Sequence, residues 1–256
     1  MRIEVVTLFP ALIADATRYG VLARAIERGL IGVGSEDPRA HAVDAHRTVD
    51  DRPYGGGPGM VLKPEPLCAA IHAARQRVPG GGPCIALSAQ GRPLTQRRLA
   101  ALARLPGMVL VAGRYEGIDE RVLTSAVDEE LSIGDYVVSG GELPALVLID
   151  AVARLQPGAL GDERSSVQES FEDGLLDWPQ FTRPEVFEGR RVPAVLSSGD
   201  HAAIEHWRRK QSIGRTWLRR PELIGRAPLD AERSALLAEF LMELRDDAQC
   251  GVRKQR

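Results

Sequence analysis

The sequence predicts an α/β fold: a mostly parallel sheet covered by helices on both faces, followed by a small, mainly helical domain. Three observations predict it. Short apolar runs that read as strands alternate with amphipathic stretches that read as helices. The central strand candidates, Cys84–Leu87 and Met108–Ala112, are nearly unbroken apolar runs, as strands buried on both faces are. After Leu155 the alternation stops and the chain turns polar before helical patterns return.

Each element has its own reason. Arg2–Phe9 is apolar on alternate positions and then continuously, which suits a first strand. Pro10 opens a helical stretch, and Val21–Leu30 places Leu22, Ala25, Ile26 and Leu30 on one helical face. Ala40–Ala45 reads as a short strand. In Pro64–Val78, the stripe Leu67, Ala70, Ile71 and Ala74 marks a helix, ended by Gly80-Gly81-Gly82-Pro83. Cys84–Leu87 is a buried strand with a loop, Ser88–Pro93, at its carboxyl end. Thr95–Leu105 is a helix whose wet side carries Arg97, Arg98 and Arg104. Met108–Ala112 and Val127–Leu131 are strands, and Pro144–Leu155 is a strongly apolar helix. Gln156–Glu169 reads as a linker, Gly174–Pro184 as an aromatic loop, and His201–Lys210 and Asp230–Arg245 as helices. The expected division is a domain over 1–160, a linker over 161–170 and a second domain over 171–256.

A chain of 256 residues with 44% apolar and 27% charged residues has an ordinary soluble balance and length for a substantial core. Cys68, Cys84 and Cys250 are widely spaced and odd in number, which excludes a disulfide framework. The opening Met1–Phe9 is too short and interrupted for a signal peptide, and no apolar run reaches the roughly 18 residues of a membrane span. A cytoplasmic protein with no membrane or DNA partner is expected. A net charge of −2 does not announce a nucleic-acid binder, so charge distribution carries more weight than the sum.

Three glycine-rich polar segments stand out: His46–Met60, Gly113–Arg121 and Ser132–Glu142. The first holds Gly55-Gly56-Gly57-Pro58-Gly59. Glycine loses the most entropy on folding, so such a run requires unusual backbone angles or a flat ligand brought close to the main chain. Ligands of open α/β sheets bind outside the carboxyl ends of strands. The loops starting at Ser88, Gly113 and Ser132 all follow strands and should converge there. No GxGxxG follows a strand and no Walker lysine is present, which argues against a nicotinamide or nucleoside triphosphate. The five histidines lack metal-ligand spacing, and no protein metal site is assigned. Trp207–Arg220 carries six cations, two tryptophans and no acid. Arginines beside aromatics hold phosphate backbones and stack on unpaired bases, and Arg208, Arg215 and Arg219 are the candidate contacts. The competing reading is a solvated helix face with Trp207 and Trp217 in the core.

The motifs Arg52-Pro53-Tyr54-Gly55-Gly56-Gly57-Pro58-Gly59-Met60 and Gly113-Arg114-Tyr115-Glu116-Gly117-Ile118-Asp119-Glu120-Arg121, in this order, closely resemble the bacterial tRNA (guanine-N1)-methyltransferase family of the knotted SPOUT class. The likeness also covers Ile3–Pro10, Asp128–Pro144, Gly174–Pro184 and Trp207–Leu223. It implies a deep trefoil knot late in the first domain, and S-adenosyl-L-methionine held by the knot loops. The implied cofactor residues are Leu87, Ser88, Ala89, Gly91, Gly113, Arg114, Tyr115, Glu116, Ser132, Ile133, Gly134, Tyr136, Val137, Val138, Gly140, Gly141 and Pro144. It implies a tRNA anticodon arm as substrate, bound by His46, Asp50, Tyr54, Gly55, Gly56, Gly57, Pro58 and Gly59, with Ser165 and Asp177. It also implies a homodimer with shared active sites, and magnesium, with Glu116 and Asp119 positioning either guanine or that ion; the competing reading of Asp119 is an N-terminal helix cap.

The resemblance maps Glu169 as the base that deprotonates guanine N1 and Arg154 as the cation that stabilises charge on O6. The familiar form carries aspartate before Ser-Phe where this chain has Glu169, and proline where it has Ala89. Two other readings compete: a knotted methyltransferase for another nucleoside, and an RNA-binding protein without transfer chemistry. The intact loop motifs, with Arg154 and an acid at 169, argue against the second.

Overall fold

The computed structural model describes residues 1–161, 169–225 and 229–253. The expected linker over 161–170 lies largely outside the described residues, and Ser165 lies outside them. The chain divides into two compact units, Met1–Ser166 and Val167–Arg256.

The first unit is built on five parallel strands: β1 (Arg2–Val6), β2 (Gly32–Glu36), β5 (Cys84–Pro93), β6 (Gly107–Ala112) and β7 (Glu129–Ser132). Their order is β2-β1-β6-β5-β7. A two-residue antiparallel pair, β3 (Asp50–Asp51) and β4 (Val61–Leu62), brackets the first glycine-rich loop. Side chains alternate across a strand, and the core divides accordingly. Ile3, Val5, Met108 and Leu110 face one side with Ile13, Leu22, Leu99 and Leu148. These come from α1 (Pro10–Ala16), α2 (Gly20–Glu27), α4 (Gln96–Leu102) and α6 (Glu142–Arg154). Val6, Val109 and Val111 face the other side with Leu67, Ile71 and Val122 of α3 (Pro64–Gln76) and α5 (Glu120–Ala126). All six residues of β6 are buried, which is why its sequence is apolar without alternation.

Several expectations are corrected. Ala40–Ala45 forms no strand; Pro38–His41 is a 3₁₀ turn opened by Pro38, with the Asp37 side chain capping Arg39 N. Ser88–Pro93 is not a free loop. β5 continues to Pro93 through an irregularity after Leu87 and rejoins β7 at Arg92 and Pro93. β2 escaped the sequence reading because Gly32-Val33-Gly34-Ser35-Glu36 is an edge strand with two glycines and one aliphatic residue.

One charged residue lies inside the sheet. Glu4 of β1 is fully buried and accepts from Arg2 Nε at 2.7 Å and Arg77 Nε at 3.0 Å. Arg77 also reaches Glu36 at 2.6 Å, and His41 meets Glu36 at 2.7 Å. Burying a carboxylate is costly unless it is paired, and these partners supply the pairing.

The second unit has a small hairpin, Val186–Phe187 with Arg190–Arg191, and helices His201–Arg219, Pro221–Ile224 and Ala231–Arg253. The first helix is nine residues longer at its C-terminal end than the expected His201–Lys210. Asp200 caps it, accepting from Ala202 N and Ala203 N at 3.0 Å each. Leu175, Ile213 and Leu236 form its small core. The aromatic loop is tied to this helix: Leu176 N donates to Thr216 Oγ1 at 2.9 Å, and Ser212 Oγ donates to Leu176 O at 2.5 Å.

Candidate active site

β6, β5 and β7 are neighbours and parallel, so the segments at their carboxyl ends leave the same edge of the sheet. They enclose a cavity of about 290 Å³. Of the expected cofactor residues, Leu87, Ser88, Ala89, Gly113, Arg114, Tyr115, Glu116, Ser132, Ile133, Gly134, Tyr136, Val137, Val138, Gly140, Gly141 and Pro144 line it. Gly91 does not. It sits in the irregular part of β5, where a β-carbon would stand 2.5 Å from the backbone of Glu130 and Leu131. Its lack of a side chain serves strand packing.

The lining also includes Gln90, Gly117, Ile118, Glu120, Leu123, Glu130, Leu131 and Ser139, which the expected cofactor set did not name. Gly117, Ile118 and Glu120 lie within the Gly113–Arg121 motif, and Glu130 and Leu131 within the Asp128–Pro144 likeness, but no role was carried over to them. The lining combines apolar Leu87, Ile118, Leu131 and Pro144 with the carboxylates Glu116, Glu120 and Glu130. Arg114 is its one cation among the described residues. An apolar lining that also carries three carboxylates against one cation fits a flat base attached to a cationic centre, which is the chemical character of S-adenosylmethionine.

A buried polar junction holds Arg114, one of the lining residues. Glu142, in the first turn of α6, is wholly buried. Its Oε1 accepts from Thr7 Oγ1 at 2.8 Å and its Oε2 from Arg114 Nε at 2.8 Å. Arg114 Nη1 donates to Ser139 O at 3.2 Å, and the guanidinium lies 4.4 Å from the centre of the Phe9 ring. Gly141 N donates to Gly113 O at 2.8 Å, and a β-carbon on Gly141 would stand 2.6 Å from Ala112 Cα. Only glycine allows this approach of the two loops.

The first glycine-rich loop borders the cavity through its end. Glu116 N donates to Met60 O at 2.9 Å, Leu62 N to Gly117 O at 3.0 Å, and Asp119 N to Leu62 O at 3.2 Å. Tyr115, with φ 61°, turns its phenol toward Asp50 and Arg39. Burial first, and then the Asp50 charge, push that phenol's pKa up. Asp50 therefore adjoins a residue of the cavity lining. His46, Tyr54, Gly55, Gly56, Gly57, Pro58 and Gly59 are exposed beside it. The backbones of Gly55, Gly56 and Gly57 have φ of 85°, 77° and 121°, the left-handed region expected of this loop.

Metal ligation finds no support in the side chains. Among the described residues no group of three or more His, Cys, Asp or Glu is placed to hold a metal ion. Asp119 caps α5 and is engaged by Arg121 through Nε at 2.9 Å and Nη2 at 2.7 Å. The residues present do not fit a protein-built magnesium cage.

Arg154 is half-buried in the last turn of α6. Glu169 belongs to the second unit, where it borders a cavity of about 240 Å³ with Arg209 and Arg233. Asp177 N donates to Ser170 Oγ at 3.0 Å, so the segment carrying Glu169 is joined to the expected substrate residue Asp177. The basic helix is sorted by its partners. Lys210 is buried between Glu239 at 2.7 Å and Glu243 at 2.5 Å, and Arg209 pairs with Glu232 at 2.5 Å. Arg208 lies 5.0 Å from the Trp178 ring centre. Arg215 is half-buried; burial, and then the nearby charge of Arg219, lower its pKa. Arg219 and Trp217 are exposed, so Trp217 is not the core residue of the competing reading.

A cavity at the carboxyl ends of adjacent parallel strands, with a glycine loop at its rim, is the ligand-binding site of an open α/β protein. The family model described as tRNA (Guanine-1)-methyltransferase TrmD matches residues 1–226. The chain is 56% identical over 249 residues to the tRNA (guanine-N(1)-)-methyltransferase of Aeromonas salmonicida, covering 97% of this chain and 100% of that one. It is 56% identical over 250 residues to the enzyme of that name in Halorhodospira halophila, covering 98% and 95% of the two chains. With that of Salmonella newport it shares 57% identity over 243 residues, 95% of each chain. The chain belongs to the tRNA (guanine-N1)-methyltransferase family of the SPOUT class.

Proposed function

We propose that this chain transfers a methyl group from S-adenosylmethionine to N1 of the guanosine at tRNA position 37, beside the anticodon. The observation that carries the reading is the cavity at the β5, β6 and β7 ends, lined by the motif residues of the matched family. When bound, S-adenosylmethionine supplies a methyl group made electrophilic by its sulfonium. The protein's task lies with the acceptor, because guanine N1 holds a proton at neutral pH. Glu169 takes that proton on a carboxylate oxygen, freeing the N1 lone pair for the methyl group. Arg154 donates to O6, where negative charge gathers as N1 deprotonates. His46, Asp50 and the Tyr54–Gly59 loop hold the guanine, with Ser165 and Asp177. Arg208, Arg215 and Arg219 hold the anticodon arm. No step is derived through magnesium.

The reading includes a trefoil knot within 1–160, a linker over 161–170 and a tRNA-binding domain over 171–256. It also includes a homodimer with shared sites. α6 supports the dimer. Pro144 lines the cavity and Arg154 lies ten residues on, about 15 Å along the helix axis at ~1.5 Å per residue. Arg154 is not among the residues that line its own chain's cavity, which supports a reading in which a second copy brings it to one. α6 exposes Leu143 and Val147, and α1 beside it exposes Leu12. Exposed apolar faces of this kind mark protein interfaces. A cytoplasmic location goes with the tRNA substrate.

The test is methylation of a tRNA transcript followed by nuclease digestion and mass spectrometry. The expected product is 1-methylguanosine from position 37, absent when that guanosine is replaced. Methylation of a ribose oxygen or of another base would overturn the assignment. Site sharing is tested by mixing a Glu169→Ala subunit with a Gly141→Val subunit, whose added side chain collides with Ala112. Heterodimers should regain activity at one site; confirmed heterodimers without activity would reject sharing.

A further inference from the structure

We infer that Glu142 is a positioning residue that cancels the charge of Arg114 toward the cavity, so that the site accepts a cationic methyl donor. The inference rests on the methyl-donor reading of the cavity and concerns a residue that the recognised chemistry leaves idle.

Glu142 has no exposed surface, yet no substrate role is assigned to it. A buried carboxylate requires compensation, and here both oxygens are engaged by residues from other elements. Thr7, just after β1, donates to one at 2.8 Å, and Arg114, just after β6, donates to the other at 2.8 Å. The first turn of α6 also favours an anion at this position. The junction thus joins the ends of β1 and β6 to the start of α6. It holds the Arg114 side chain along Gly140, where any β-carbon would collide with the guanidinium.

The electrostatic consequence is specific. Arg114 is the one cation lining the cavity among the described residues, in a lining that also includes Glu116, Glu120 and Glu130. S-adenosylmethionine carries a sulfonium, and its demethylated product S-adenosylhomocysteine has a neutral sulfur but nearly the same shape. A guanidinium without its carboxylate would repel the first and leave the second almost unaffected. A residue that only supported the loop's shape would weaken both ligands alike.

The experiment is calorimetric titration of both ligands against the parent protein, Glu142→Gln, Arg114→Gln and the double variant, with thermal melts to confirm folding. Glu142→Gln should weaken S-adenosylmethionine relative to S-adenosylhomocysteine by about tenfold, the size of one uncompensated charge across a partly screened cavity. Arg114→Gln leaves the carboxylate unopposed and should shift the ratio the other way. The double variant should return it to the parent value. If Glu142→Gln does not fold, the shift in Arg114→Gln decides alone. An unchanged ratio, with both ligands still bound, overturns the inference. Failure of the parent to bind either ligand overturns the reading of the cavity, and this inference with it.

Discussion

Gly59 and Glu116 are locked together: a β-carbon on Gly59 would collide with the Glu116 carboxylate, and the neighbouring Met60 O accepts from Glu116 N at 2.9 Å. The glycine-rich loop and the cofactor-cavity loop are therefore one mechanical unit. The cavity cannot change shape at Glu116 without moving the loop proposed to hold guanine.

Gly59→Ala tests this coupling. Gly59 has φ 76°, which costs a side chain about 1–2 kcal/mol, and the collision adds to it. Gly20→Ala is the control: its φ is 68°, with nothing within 4 Å of an added β-carbon. Both should lower the urea midpoint. Only Gly59→Ala should also raise the KM for tRNA and slow single-turnover transfer, by about 10-fold or more for a displaced reacting group. Equal kinetics in the two variants would argue that the loops act separately.

Glu169→Gln should keep tRNA binding but lose most single-turnover transfer, because the amide cannot take the N1 proton. Arg154→Ala should lose roughly 10²-fold, the scale of a missing charge-stabilising donor. Glu169→Asp supplies the shorter acid usual in the family, and a moderate loss of about 3- to 30-fold is expected from its shorter reach. Rates measured across pH, with tRNA and cofactor saturating, decide the matter. Parental rate and pH profile in Glu169→Gln would move the base role to Asp50 or Asp177.

The basic helix should separate into an RNA-contacting and a structural part. Arg219 is exposed, and Arg219→Ala should reduce the slope of log affinity for tRNA against log salt by about one unit. Lys210 is buried between two carboxylates, so Lys210→Ala should destabilise the second unit and leave the slope unchanged. A binding titration from low to high salt, with urea melts of each variant, distinguishes them. The reverse pattern would mean that the phosphate contact was misassigned.

Asp119 carries an acid dependence. The Arg121 side-chain hydrogen bonds hold its carboxyl down at about 2, from an ordinary 3.8. A carboxylate with a lowered folded pKa contributes stability that is fully present above the unfolded value. That stability is lost as pH falls through the folded one. The contribution should therefore be complete at pH 5 and fade between about 3.8 and 2. Because the pair is near the surface, its size should stay below about 1 kcal/mol. Asp119→Asn keeps a cap for α5 but removes the charge, so its stability deficit should be present at pH 5 and shrink toward pH 2.5. A deficit independent of pH would indicate lost capping alone.

Much of this protein was determined locally and is legible in the chain. β6 announces itself because six consecutive buried positions need apolar residues, and α3 because its buried stripe recurs at helical spacing. The glycine-rich motifs likewise supply most of the residues that line the cavity, since they directly follow their strands. Tertiary structure alone decided the rest. Thr7 and Glu142 meet across 135 residues of sequence, and no local period reports such a pairing. The burial of Lys210 depends on two carboxylates contributed by another helix. The path of β5 past Leu87 depends on β7 accepting it again at Arg92. Hydrophobic periodicity records which face of an element is buried; the charges that stay buried, and the partners that compensate them, are set only when distant elements come together.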